Sequence, residues 1–162
     1  MMLLPFFFLL YGCQPSQEWQ FSALKEEGRE YSKKFSYSPQ GFHGISVSIT
    51  FYTNPQGEEN AYTYLEVSQS NIPPYQSNPK EAKISMKVEE KIFQGIAFRH
   101  QGGQRLTLPS LFQELLLRSL KNNQPVTFLL EGYESTVEPY SFSEIPNSFP
   151  DTFVSHLLQL IF

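Results

Sequence analysis

The chain has 162 residues, of which 40% are hydrophobic and 17% charged, a composition that excludes a disordered chain and fits one domain with an apolar core. Its formal net charge is −4 and its 12 Lys and Arg residues are scattered, which excludes a nucleic-acid partner. The single cysteine excludes internal disulfide bonds, the single Asp excludes calcium loops of the EF-hand kind, and no cofactor is expected.

An uncharged apolar run opens the chain and leads to a cysteine. The residues Leu10-Tyr11-Gly12-Cys13 resemble the lipobox of bacterial lipoproteins, in which an aliphatic residue, a small residue and Gly or Ala precede the cysteine that receives the lipid. The resemblance implies that 1–12 is a signal peptide and that Cys13 carries a diacylglyceryl group and palmitate-type acyl chains. It also implies a lipid-anchored spacer over 13–18, followed by a single globular domain over 19–162.

The same resemblance implies where the protein is located. Gln14 follows the cysteine, at the position where an Asp often retains lipoproteins of this type at the inner membrane. The implied location is therefore the cell envelope, on the periplasmic side of the outer membrane in a diderm organism. The alternative is a cytosolic domain with no anchor, in which the apolar run is a buried strand and Cys13 is an inert small hydrophobe.

Two alternating segments follow a charged stretch. Trp19 to Tyr31 mixes charges and is interpreted as a short helix that Gly28 weakens. Apolar and polar residues then alternate from Ile45 to Tyr52 and again from Ala61 to Ser68. Such alternation is typical of half-buried strands, and the Asn54-Pro55-Gln56-Gly57 turn signal between them predicts a hairpin.

Further strands and loops follow in the second half. The continuous apolar run Val126 to Leu130 predicts a central strand covered on both faces. Two segments rich in turn residues, Ser70 to Pro79 and Gly132 to Asn147, are interpreted as loops. Three more segments have alternating residues and are predicted as strands: Ile84 to Val88, Ile92 to Arg99 and Leu106 to Leu108.

Two amphipathic segments predict helices. Ser110 to Lys121 follows Pro109, starts with the capping-box pattern Ser110-Leu111-Phe112-Gln113 and has one broad apolar face. A second helix is predicted over 150–161, with Val154, Leu157, Leu158 and Ile161 on its apolar side. The expected fold class is therefore α+β, a mainly antiparallel sheet of about five or six strands with two helices (110–121 and 150–161) packed on it.

No complete catalytic motif occurs in the sequence: there is no GxSxG nucleophile elbow, no HExxH zinc pair and no phosphate-binding P-loop. Glu131, Glu134 and Glu138 lie close in sequence and could serve acid–base chemistry, or belong to a solvated loop. His43 lies between two glycines and is a second candidate. A non-catalytic protein is expected, and an envelope hydrolase with a Glu- or His-based site is the alternative.

Three tyrosines form the candidate binding face. Tyr62 and Tyr64 point to the same side of their predicted strand, and Tyr52 joins them from the preceding one. Tyrosine supplies rigid contact area at low entropic cost, which favours a face that binds an envelope protein, lipid or glycan. The alternative is an aromatic sheet surface whose tyrosines serve only as cross-strand pairs. Either way Leu65 and Val67, on the opposite side, are predicted to be buried.

Overall fold

The computed structural model describes residues 19–26, 29–39, 44–54, 56–57, 59–69, 71–139 and 142. Within these residues the chain forms nine strands and one helix. The strands are β1 (Gln20–Glu26), β2 (Arg29–Tyr37), β3 (Ile45–Thr53), β4 (Glu59–Val67), β5 (Glu81–Val88), β6 (Lys91–Arg99), β7 (Arg105–Thr107), β8 (Val126–Leu130) and β9 (Tyr133–Val137), and the helix is α1 (Ser110–Lys121).

All nine strands belong to one sheet, in the order β1-β2-β3-β4-β7-β6-β5-β8-β9, and every neighbouring pair is antiparallel. Strands β1 to β4 form a meander, in which each strand pairs antiparallel with the next one in the chain. In the turn between β3 and β4, Gly57 has a φ of 84°, and its N–H donates to the carbonyl of Asn54 at 2.9 Å. Few residues other than glycine adopt that φ without strain.

The short strand β7 joins the meander to the other strands. Its central residue, Leu106, lies opposite Leu65 of β4 on one side and Arg99 of β6 on the other. The Arg99 side chain in turn holds the Pro-rich segment before β5, since its Nε donates to the carbonyl of Ile72 at 2.7 Å and its Nη1 to the carbonyl of Pro79 at 3.0 Å. Ile72 is buried as a result and closes this end of the core.

One face of the sheet, the inner face, holds the core. Its side chains alternate along every long strand and come into register across strand pairs, as Val47 does with Leu65 and Met86 with Phe128. Helix α1 packs on this face: Gln113 donates to the carbonyl of Ala61 at 3.0 Å. Gly95 leaves room for the Phe112 ring, which would lie 2.7 Å from a Cβ at that position.

The sheet curves so that its two ends approach each other. Trp19, just before β1, donates from Nε1 to the carbonyl of Glu138, just after β9, at 3.1 Å. Its ring packs against those of Tyr37 and Phe142, with centroids 5.4 and 5.1 Å away. These three aromatic side chains close the core between the edge strands.

The predicted fold class is wrong in its count of strands and helices. Instead of five or six strands with two helices, the described residues form nine strands and one helix, α1. The predicted short helix at Trp19 to Tyr31 is a hairpin, β1 and β2, in which Phe21 lies opposite Phe35. The second predicted helix, 150–161, lies outside the described residues, as do 1–12 and the spacer over 13–18.

The segment from Gly132 to Asn147 was interpreted as a loop, which is wrong for its first part. Gly132 has a φ of 80° and forms the turn of a hairpin, after which β9 pairs with β8 along its whole length. Ser135 and Val137 point to the core, whereas Glu134 and Thr136 are exposed. The polar outer side conceals the alternation in the sequence.

Two element predictions are confirmed in position and corrected in detail. Val126–Leu130 is an interior strand between β5 and β9, yet Thr127 and Leu129 on its outer side are only half-buried. The helix Ser110–Lys121 is confirmed, with Leu116 buried, but Leu111 is exposed. No side chain caps its N-terminus, because the N-cap residue is Pro109, which has no hydrogen-bonding side chain, and the Gln113 amide contacts β4.

Candidate binding face

The outer face of the sheet carries a row of rings that crosses from β3 to β6. We name it the aromatic strip, and it consists of Tyr52, Tyr62, Tyr64, His100 and Phe98. The strand register brings these residues together, since Tyr64 of β4 and Phe98 of β6 both lie opposite Thr107 of β7. From β3 to β6 the row spans three strand spacings, about 14 Å.

The rings form two contacting groups within the strip, Tyr52 with Tyr62, and Tyr64 with His100 and Phe98. Tyr52 and Tyr62 meet at a centroid distance of 6.0 Å and an angle of 64°. Tyr64 and His100 are also 6.0 Å apart, and His100 meets Phe98 edge-on at 5.1 Å and 87°. Tilted and edge-on contacts at these distances are the favoured geometry of aromatic pairs. The rings therefore support one another and hold their positions without a cover.

Much of this aromatic surface is accessible to solvent. Tyr52 is 40% exposed, Tyr62 46% and Phe98 52%. On the opposite side of β4 both Leu65 and Val67 are buried, so the predicted alternation is confirmed. Solitary exposed apolar side chains are common on protein surfaces, whereas a contiguous exposed patch is typical of an interaction site.

Charged and polar groups fix the middle of the strip. The Arg105 guanidinium lies over the Tyr64 ring, 5.3 Å from its centroid. The same guanidinium donates to Glu66 Oε1, with Nε and Nη2 at 2.7 and 2.6 Å. His100 Nε2 and Thr107 Oγ1 share a hydrogen bond of 2.7 Å. These contacts restrain the rotamers of the rings, which lowers the entropy that a bound partner would cost.

Burial raises the pKa of Tyr64 above its ordinary value of 10.0. A negative charge on Tyr52 acts in the same direction, the guanidinium of Arg105 opposes it, and Tyr62 adds a smaller increase. At neutral pH the Tyr64 phenol is therefore protonated and can both donate and accept a hydrogen bond.

A shallow groove adjoins the middle of the strip, where His100 lines it and Arg105 lies over the Tyr64 ring. It has a volume of about 550 Å³ and an open mouth, and its walls come from the ends of β3, β4 and β7 and from the β6–β7 turn. The lining is mostly polar, and it consists of Ser46, Glu66, Val67, Ser68, His100, Gln101, Gln104 and Arg105. Aromatic rings and hydrogen-bonding groups thus lie side by side on one surface.

The other candidate residues do not converge on this surface. Glu131 is in the β8–β9 turn, Glu134 is on the outer side of β9 and Glu138 follows that strand. Glu134 and Glu138 are four residue steps apart along an extended chain, a distance of about 13 Å. Among the described residues no group of three or more His, Cys, Asp and Glu side chains is placed to hold a metal ion. His43 and Cys13 lie outside the described residues.

Sequence reasoning identified the three tyrosines but missed the other half of the strip. Phe98 shares the exposed side of β6 with Ile92 and Ile96, and the apolar character of that side concealed its exposure in the sequence. His100, Arg105 and Glu66 were not among the candidate residues that the sequence identified. Their proximity depends on β7 pairing with both β4 and β6, which local periodicity does not reveal.

Comparison of the chain with protein-family models, with curated proteins and with solved structures finds no match. Within the part of the chain that the structure describes, no helix has the length and apolar character needed to span a bilayer.

Proposed function

We propose that this protein is a lipid-anchored binding protein of the bacterial cell envelope, with the aromatic strip as its binding face and no catalytic role. The observation that carries the binding role is the exposure of Tyr52, Tyr62 and Phe98 on one face of the sheet, with the half-buried rings of Tyr64 and His100 between them. The part of each ring that stays in water contributes no hydrophobic stabilisation to the fold, and rigid tyrosines are efficient contact residues.

The anchoring half of the proposal rests on the lipobox-like residues Leu10-Tyr11-Gly12-Cys13. Six peptide steps separate Cys13 from Trp19, so the acyl chains would hold the start of β1 within about 22 Å of the membrane surface. Two or more acyl chains give stable membrane attachment, whereas one gives only marginal binding. The proposed location is the periplasmic side of the outer membrane in a diderm organism.

The anchor is tested by replacing Cys13 with Ser and following the protein in membrane and soluble fractions. A fatty-acid probe should label the wild-type chain and leave Cys13→Ser unlabelled and released from the membrane. An unlabelled wild-type chain that keeps Met1 by mass spectrometry would refute the anchor and favour the cytosolic alternative.

The binding face is tested by affinity capture from detergent-solubilised envelopes, with identification of bound proteins, lipids and glycans by mass spectrometry. Tyr62→Ala should lose the captured partner. Ile92→Ala is the matched control, because Ile92 is 58% exposed on the outer side of β6 but lies away from the strip. Equal capture by both variants would show that the strip is not the binding face.

A further inference from the structure

The groove beside the aromatic strip has a local charge balance that restricts its ligand. Its two charged residues, Arg105 and Glu66, are already paired through two contacts to Glu66 Oε1 at 2.7 and 2.6 Å. The Arg105 guanidinium also lies over the Tyr64 ring. An anionic ligand would have to displace Glu66 and would then face its carboxylate. The site therefore favours a ligand without net charge.

The pair nevertheless keeps accessible hydrogen-bonding capacity, because the Arg105 and Glu66 side chains are 50% and 40% exposed. A guanidinium offers five N–H donors and a carboxylate offers several acceptor sites, so together they match neighbouring hydroxyl groups, each of which donates and accepts. The amides of Gln101 and Gln104 and the hydroxyl of Ser68 line the same groove and provide further donors and acceptors. Hydroxyl-rich ligands meet these requirements.

The strip supplies the complementary surface. Pyranose rings have faces of C–H groups that stack on aromatic rings, while their hydroxyls project at the edge of the ring. The strip extends about 14 Å across the strands, room for more than one sugar ring, and the polar groove adjoins it at Tyr64. A chain lying along the strip would place C–H faces on Tyr62 and Phe98 and hydroxyl groups in the groove.

We infer that the aromatic strip and the adjoining groove together bind an extended, uncharged polysaccharide. This inference rests on the proposed binding function and names the chemical class of its partner. A lipid surface is a poorer fit, because the groove lining is mostly polar and its guanidinium is engaged by Glu66.

The test is calorimetric titration of the detergent-solubilised protein with chitohexaose, a neutral β-linked oligosaccharide, and with polygalacturonate, an anionic one. Chitohexaose should bind, and Tyr62→Ala and Phe98→Ala should each weaken it by about tenfold or more, the loss expected for a central aromatic contact. Ile92→Ala should leave binding unchanged within about twofold, since an exposed residue away from a site contributes little.

A charge variant sharpens the test. Glu66→Gln frees the guanidinium of Arg105, so it should weaken chitohexaose and strengthen polygalacturonate. Tighter binding of polygalacturonate by the wild-type chain would overturn the inference. So would absence of chitohexaose binding while Tyr62→Ala still loses its captured envelope partner, and that result would leave the proposed binding function intact.

Discussion

Strands β3 and β4 have two faces that use the same backbone register for different purposes. On the inner face Val47 lies opposite Leu65, and both are buried. On the outer face, one residue along, Ser48 lies opposite Tyr64, and Thr50 opposite Tyr62. Ser48 and Thr50 are themselves buried, at 8% and 6% exposure, whereas Tyr62 keeps 46% of its surface in water. The inner face stabilises the fold, and the outer face holds rings ready for contact.

The largest expected difference is between two truncations on the same strand. Leu65→Ala should destabilise the protein by about 2–5 kcal/mol, because it removes buried methyl groups and leaves a cavity. Tyr62→Ala should cost roughly 1 kcal/mol or less, since an exposed ring contributes little to folding. Urea denaturation of both variants measures the difference, and a Tyr62→Ala loss as large as that of Leu65→Ala would contradict the assignment of the two faces.

Substitution of two adjacent glycines in the β6–β7 turn tests whether the Arg99 side chain helps to close the core. Gly102 and Gly103 have φ values of 88° and 71°, but only a Cβ on Gly103 would overlap the guanidinium of Arg99. Gly102→Ala should cost about 1–2 kcal/mol from backbone strain alone. Gly103→Ala should cost roughly 1–3 kcal/mol more, because it displaces the side chain that holds Ile72 and Pro79.

Thermal and urea denaturation of the two glycine variants provide the comparison. Equal destabilisation would mean that the Arg99 contacts with the Pro-rich segment contribute nothing measurable to the closure of the core.

Thr63 places a polar group on the inner face, and removal of that group should stabilise the fold. The Thr63 hydroxyl is fully buried and finds no hydrogen-bond partner among the described residues. Thr63→Val replaces it with a methyl group of similar size, so the free energy of unfolding should rise by about 1 kcal/mol. Thr107→Val is the matched control and should not stabilise, because it removes the hydrogen bond to His100. Destabilisation by Thr63→Val would show that the hydroxyl has a partner.

The smallest expected effect is a pH dependence from the outer face. Because the pKa of Tyr64 is raised in the folded state above 10.0, the folded chain holds its proton more tightly than the unfolded one. The associated stability is fully present below pH 10.0 and is lost as the pH rises through the folded pKa. As the pH rises from 10.0 through the folded pKa, Tyr64→Phe should lose less stability than the wild type, as measured by urea denaturation. An identical pH dependence of the free energy of unfolding in both proteins would contradict the raised pKa of Tyr64.

Much of the sheet was predictable because period-2 alternation survives in its strands. Ile45 to Tyr52 and Ala61 to Ser68 alternate cleanly, and their apolar sides are buried as that pattern predicts. The burial of Ser48 and Thr50 on the polar side of the first segment does not follow from it. The β1–β2 hairpin was missed because Lys33 interrupts the side of β2 on which Phe35 and Tyr37 are buried. Strand β9 was missed because only Ser135 and Val137 mark its inner side beside exposed polar residues.

The candidate site was half predictable for a related reason. Tyr52, Tyr62 and Tyr64 lie on consecutive strands, so the hairpin prediction already placed them together. Phe98 and His100 reach them only through the non-local pairing of β7 with both β4 and β6. Register between strands that are distant in sequence is set by long-range packing, and no local pattern specifies it.

We propose that Tyr52 and Tyr62 on the outer face contact a partner, whereas Tyr37 belongs to the core. Nitration of tyrosines, read out by mass spectrometry, tests it directly when the purified protein is compared with the protein in intact envelopes. Tyr52 and Tyr62 should react in the purified protein and be protected in the envelope, whereas Tyr37, which is fully buried, should stay unreactive in both until the chain unfolds. Equal nitration of Tyr62 in the two preparations would contradict the account.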